Sequence, residues 1–190
     1  MGRLQTLAKR SMPLLVCGFL AKSLLTTGLF LHYWRDVQAG PKRAYWQCRI
    51  ERVIDGDTVR ALCPHKQRSV RVRLAKIDAP ERSQRYGVQA TEHLKQLIDG
   101  QKVTIYYLGH DYFGRVLGVI YYQGRDVNAE MVADGYAWVY DKYAGQDAKL
   151  QQQQKRAQAR HLGLWSAGGQ KPVPPWEYRH RQTPKTAAVQ

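Results

Sequence analysis

The chain has 190 residues, room for one compact domain with extensions rather than two full cores. Its hydrophobic share of 44% and aromatic share of 11% exclude an intrinsically disordered chain. With 30 Lys and Arg against 15 Asp and Glu the net charge is +15, a field that favours polyanions, meaning nucleic acid or an anionic membrane surface.

Residues 1–39 read as a separate object. Arg3, Lys9 and Arg10 form a basic start, and the stretch 12–34 is largely apolar. The small residues of "VQA" (37–39), with Gly40 after them, suit a signal peptidase. The same stretch is long enough to span a bilayer, although Lys22 sits inside it, and Tyr33, Trp34 and Arg35 suit an interfacial end. Residues 1–39 are therefore expected to be a signal peptide or an N-terminal membrane anchor, with membrane association through 12–34. Either places the rest outside the cytoplasm, periplasmic or secreted; a mitochondrial-type presequence fits less well.

The excess of basic residues persists in 40–166, so it belongs to the folded unit. "YWQCRIERVI" (45–54) and "DTVRALC" (57–63) are β-like runs joined by Asp55-Gly56, a hairpin-turn dipeptide. Cys48 and Cys63 lie almost symmetrically about Gly56. A hairpin turning there sets them face to face, either as a disulfide suited to an oxidising compartment or as two unpaired thiols. "RSVRVRLAKI" (68–77) alternates Val70, Val72 and Leu74 with Arg71 and Arg73, which predicts a strand with one basic face ending before Pro80.

"YGVQATEHLKQLIDG" (86–100) carries Ala90, Leu94, Leu97 and Ile98 at helical spacing and closes at Gly100. Two further strands, "QKVTIYYL" and "RVLGVIYY", flank the loop "GHDYFG" (109–114). A short helix over 125–135 and a Gln-rich helix over about 146–161 follow; from 167 onward the chain reads as a linker and a basic, Pro-rich tail with little to bury. This order predicts an α+β, mainly β fold: a five-stranded OB-like Greek-key barrel with about three packed helices, of the kind that binds oligonucleotides. A monomer is expected.

Charge gathers where strands end. Asp57 follows the hairpin turn, Asp78 and Glu81 follow the basic strand that carries Arg73, and Arg115 follows Gly114. Turn chemistry or a solvated face explains each residue singly, and Asp55 is explained by its turn; the coincidence of all of them is what points to a site. Asp57 and Asp78 are candidate hard-oxygen ligands for Ca²⁺, Glu81 a candidate general base, and Arg73 and Arg115 candidate forks for a phosphodiester. His110 has no partner set of a His-based metal nuclease and reads as a loop histidine.

"VIDGDTV", "RVRLAKIDAPE", the "YG" that opens a helix, "DYFGR", "VNAEMVADGYAWVY" and "GLW" together resemble the staphylococcal-nuclease-like (thermonuclease) domain over about residues 45–166. The segment "PPWEYR" (174–179) looks like the tail of bacterial exported members. The resemblance implies Asp57, Asp78 and the main-chain carbonyl of Ala79 as calcium ligands, with Asp55 as an acid close to the metal. It also implies Glu81 as general base, Arg73 and Arg115 as phosphate-binding arginines, and Tyr112, Tyr140 or Tyr143 as substrate-side tyrosines. The expected activity is calcium-dependent hydrolysis of DNA and RNA with little sequence preference, cleaving the P–O5′ bond to leave 3′-phosphates. The competing expectations are a catalytically weak nucleic-acid-binding module tethered at the membrane and a scaffold that holds anionic lipid.

Overall fold

The structure, a computed structural model, describes residues 44–140, 147–166 and 171–182. The expected leader over 1–39 and Tyr143 lie outside the described residues. Among the described residues no helix is long and apolar enough to cross a membrane.

Five strands close into a barrel. β1 (Tyr45–Val53) pairs antiparallel with β2 (Thr58–Cys63), and β2 with β3 (Arg68–Leu74). The other edge of β1 takes β5 (Lys102–His110), and β5 takes β6 (Val116–Tyr122), again antiparallel. β6 then runs parallel to β3, with Val72 opposite Val116 and Leu74 opposite Gly118, which joins the two ends of the sheet. Closure removes the exposed edges that an open sheet of this size would leave. The two-residue strands β4 (Ile77–Asp78) and β8 (Trp138–Val139) pair with each other, and β7 (Arg125–Asp126) extends β6.

The period of two anticipated in β3 is realised: Val72 and Leu74 are fully buried while Arg71 faces solvent. Ile50, Val59, Ile105 and Ile120 fill the barrel from the other strands. Helix α1 (Gly87–Ile98) lays Ala90, Leu94 and Ile98 on it, an i, i+4, i+8 stripe. Helix α2 (Val127–Ala133) starts from an Asp126 cap that accepts the Ala129 N–H at 3.0 Å. Inside α2, buried Asn128 donates to the carbonyls of Ala75 (3.0 Å) and Gly118 (3.1 Å) and accepts the Ile120 N–H (3.1 Å). It thereby ties the helix to the end of β3 and to β6. Helix α3 (Ala148–Ala159) buries only Leu150 and Ala157, and its Gln154 accepts the N–H of Val139, so the glutamine run covers β8 with a polar face.

Cys48 and Cys63 stand opposite each other in the β1–β2 pair and are bridged, with Cα atoms 4.3 Å apart. Among the described residues the three expected helices are joined by a fourth. Residues Pro175–Gln182, expected to lie in a loose tail, form α4. Pro175 near its start suits a helix N-terminus, where its missing N–H would have no intrahelical partner. Helix α4 is held by Tyr178 Oη on the Ser83 carbonyl and hydroxyl, each at 3.2 Å, and by Gln84 Nε2 donating to the Val173 carbonyl just before it.

Candidate active site

Three connections meet at one end of the barrel. The β1–β2 turn brings Asp55 and Asp57, the end of β3 brings Arg73, β4 and the segment after it bring Asp78, Ala79 and Glu81, and the β5–β6 turn brings Tyr112 and Arg115. All of these line one cleft of about 820 Å³, together with Tyr140 and Arg179.

The β1–β2 turn is built by its own acid. Asp55 Oδ1 accepts the Asp57 N–H at 3.0 Å, closing a side-chain turn. Gly56 is needed for closeness rather than for an unusual dihedral. It is buried, its φ is not positive, and a Cβ there would lie 2.7 Å from Ala79 Cβ and 2.9 Å from Ala90 Cβ. From sequence this glycine is expected for tight chain reversal; in the structure it serves packing against the Ala79 segment and α1. Asp57 then points inward, 7% exposed, and its Oδ2 accepts the N–H of Ala79 at 2.7 Å while its Oδ1 accepts the Thr58 hydroxyl at 3.1 Å.

Arg73 is the cross-piece. Its Nη1 donates to the carbonyls of Leu74 and Ile77, both at 2.9 Å, which braces the turn where Lys76 takes a positive φ of 68°. The same nitrogen is 3.1 Å from Asp57 Oδ2, and Nη2 is 2.7 Å from Asp78 Oδ1. Asp78 is only 1% exposed. Burial pushes its carboxyl above the usual range, with the Asp57 charge adding to that, and the hydrogen bond from Arg179 and the charge of Arg73 only partly offset it. Burial, reinforced by the Asp57 charge, pushes the Asp55 carboxyl up to about 6.

Glu81 sits on the segment that leads into α1. Its carbonyl accepts the Gln84 N–H at 2.8 Å, and its own N–H donates to Gln84 Oε1 at 3.2 Å. The segment can lie against the helix start only because residue 87 is glycine, since a Cβ there would run into the Glu81 carbonyl. This is the physical content of the "YG" pair. Arg115 is set by Asp111, which accepts the N–H groups of Phe113 and Arg115 at 2.9 Å each and the Arg115 Nε at 2.6 Å. Burial acts to raise the Asp111 carboxyl, but the bonds from Arg115 outweigh it and hold it below the usual range. Tyr112 is 96% exposed at the rim, and Tyr140 lies deeper with its ring 5.5 Å from that of Trp176 in α4. His110, outside the cleft lining, meets the Tyr107 hydroxyl at 2.9 Å.

Arg179, the last residue of the "PPWEYR" segment, lines the cleft although no motif in the sequence marks it as a site residue. Its Nη2 donates to Asp78 Oδ2 at 2.7 Å and its Nη1 to Glu81 Oε1 at 2.6 Å. Burial disfavours the charged guanidinium, but these two carboxylates more than compensate and hold it protonated more firmly than a free arginine.

Among the described residues no three His, Cys, Asp or Glu side chains form a metal-ligand cluster. The available donor set is smaller and all oxygen: two buried carboxylates, Asp57 and Asp78, with Ala79 lining the same cleft. Asp55, Asp57 and Asp78 line the same cleft, so three carboxylates face one space. A hard divalent cation that completes its shell with water fits such a set, and a thiolate- or imidazole-seeking metal does not.

A family model described as staphylococcal nuclease homologue matches residues 71–167. Arg73, Asp78, Glu81 and Arg115 fall inside that span, and Asp55 and Asp57 just before it. A protein of Escherichia coli named uncharacterized endonuclease is 44% identical over 135 residues, covering 70% of this chain and 85% of its own. A Haemophilus influenzae protein of the same name is 36% identical over 161 residues, with 85% and 87% covered. A micrococcal nuclease of Shigella flexneri is 37% identical over 150 residues, with 73% and 83% covered. A five-stranded closed barrel, a carboxylate and arginine cleft at its end and these likenesses lead to one assignment: the chain belongs to the staphylococcal nuclease homologue family.

Proposed function

We propose that the protein is a calcium-dependent endonuclease that hydrolyses phosphodiester bonds of DNA and RNA with little sequence preference. The observation that carries this reading is the meeting of Asp57, Asp78, Glu81, Arg73 and Arg115 in one cleft from three separate parts of the chain. The nuclease names of its relatives support it.

Asp57 and Asp78 would hold the cation with the Ala79 carbonyl and water. Bound there, it would supply positive charge against a non-bridging phosphate oxygen. Glu81, 41% exposed at its side chain, is open to water and takes the proton as the oxygen attacks phosphorus. Arg115, held by Asp111 through Nε and with Nη1 3.5 Å from the Thr58 hydroxyl, faces the cleft where a phosphate would lie, and Arg73 adds a second guanidinium at the carboxylate side. The P–O5′ bond breaks, the 5′ oxygen leaves with a proton from solvent, and the phosphate stays on the 3′ side. Exposed Tyr112 and Phe113 at the rim, and Tyr140 within, offer faces for bases. Sequence indifference follows from contacts directed at phosphate rather than at base edges. The Cys48–Cys63 bridge supports an oxidising, extracytoplasmic location.

Digestion of DNA and RNA by the full chain, with calcium and then with a chelator, tests the reading. Glu81→Ala is expected to lower the rate by about 10²–10⁴ while nucleic acid still binds. Equal digestion by wild type and variant, or digestion untouched by chelator, would overturn it.

A further inference from the structure

Helix α4 docks on the segment that carries Glu81. Tyr178 holds Ser83, and Gln84 is shared: its Oε1 accepts the Glu81 N–H while its Nε2 donates to the Val173 carbonyl. From that anchorage Arg179 reaches back into the cleft and contacts two carboxylates at once. Its Nη1 takes Glu81 Oε1 at 2.6 Å and lies 3.3 Å from Asp78 Oδ1, and its Nη2 takes Asp78 Oδ2 at 2.7 Å.

A fork shared in this way fixes the separation of the two acids. Asp78 cannot move, being almost fully buried and gripped by Arg73 on its other side. Glu81 has no such confinement, because its side chain is 41% exposed and flexible. Arg179 therefore transfers the fixed position of Asp78 to Glu81. It engages Oε1, while much of the Glu81 side chain stays open to solvent, so the base is oriented without being covered. A base held by a third group is a recurring requirement of proton abstraction, since a carboxylate free to rotate spends most of its time misaligned.

We propose that Arg179 is a positioning residue of the active site, supplied by the C-terminal helix, which holds Glu81 in register with Asp78. The inference rests on the reading of Glu81 as general base. It makes the segment after residue 170 a working part of the site rather than an appendage.

The test compares wild type, Arg179→Gln, Arg179→Lys and Arg181→Gln in the full chain, by steady-state digestion of DNA with calcium and by calorimetric titration of calcium without nucleic acid. Among the described residues Arg181 pairs only with Glu177 of its own helix, and it serves as the control for the loss of bulk charge. Arg179→Gln is expected to lower kcat about 10- to 100-fold with KM nearly unchanged and calcium affinity kept or tightened. Arg179→Lys recovers part of kcat, and Arg181→Gln matches wild type. An unchanged kcat in Arg179→Gln, a rise confined to KM, or a loss of calcium binding would overturn the role. Failure of the wild type to digest DNA would instead sink the nuclease reading beneath it.

Discussion

Asp57 Oδ2 and the Ala79 N–H are joined by a 2.7 Å hydrogen bond that spans 22 residues of chain. The same carboxylate is thus both a candidate cation ligand and the tie between the β1–β2 turn and the segment bearing Ala79 and Glu81. Asp57→Ala is expected to abolish calcium binding by calorimetry and to lower unfolding free energy by about 1–3 kcal/mol, because a buried N–H loses its acceptor. Asp55→Ala loses a local turn bond only and is expected to weaken calcium much less.

Gly56→Ala places a methyl group against two Cβ atoms fixed to main chain, at 2.7 and 2.9 Å. Neither neighbour can rotate away, so the turn or α1 must shift. Urea unfolding is expected to report a loss of about 1–3 kcal/mol. An unchanged midpoint would mean that the turn relaxes freely.

Asp111→Ala removes an acceptor from two main-chain N–H groups and from Arg115 Nε together. The fold survives, since the turn is on the surface, but the arginine loses its aim. Nuclease kcat/KM is expected to fall at least about tenfold, the typical effect of removing a partner that orients a site group. Circular dichroism should remain that of the wild type.

Stability in acid depends in part on Asp147. Its carboxylate accepts Lys76 Nζ at 2.8 Å and caps α3 through the Leu150 N–H at 3.2 Å. The Lys76 bond, outweighing burial and aided by the cap, holds the carboxyl below its ordinary value. A depressed folded value means that the contribution is complete above the unfolded value near pH 4 and disappears as pH falls through the folded one. Asp147→Asn is expected to flatten that part of the pH–stability curve and to reduce stability at pH 7 by about 1 kcal/mol.

Reduction of the Cys48–Cys63 bridge reopens a loop with a sequence separation of 15. Chain entropy assigns about 3 kcal/mol to such a loop. Cys48→Ala with Cys63→Ala is expected to lower the thermal midpoint while leaving the activity of the folded protein intact.

The barrel was legible in the sequence because its strands alternate cleanly, as Val72 and Leu74 do against Arg71, and because Asp55 and Gly56 mark a reversal. The cleft was legible because its charges sit at strand ends, where no packing need explains them. Three features were not legible. Gly56 carries the composition of a turn, and only the nearness of Ala79 and Ala90 reveals that its missing Cβ is what matters. Arg179 lies 98 residues from Glu81 in a segment of low apolar content, where neither periodicity nor spacing announces a docking surface. Asn128 was hidden likewise, since an asparagine on a short helix looks solvated until its three main-chain partners are seen.

The parallel seam between β3 and β6 has a consequence for the arginines that sit at its end. Val72 faces Val116 and Arg73 faces Leu117, so Arg73 and Arg115 leave neighbouring strands within a residue or two of one pairing. The spacing of their main-chain positions is therefore set by that register, while Asp111 aims the Arg115 side chain. A slip of one residue at that seam would move one fork by about 3.3 Å along its strand and turn its side chain to the opposite face. The hydrogen-bond ladder acts as a vernier for phosphate recognition, and insertions that a loop would absorb become intolerable where those two strands meet.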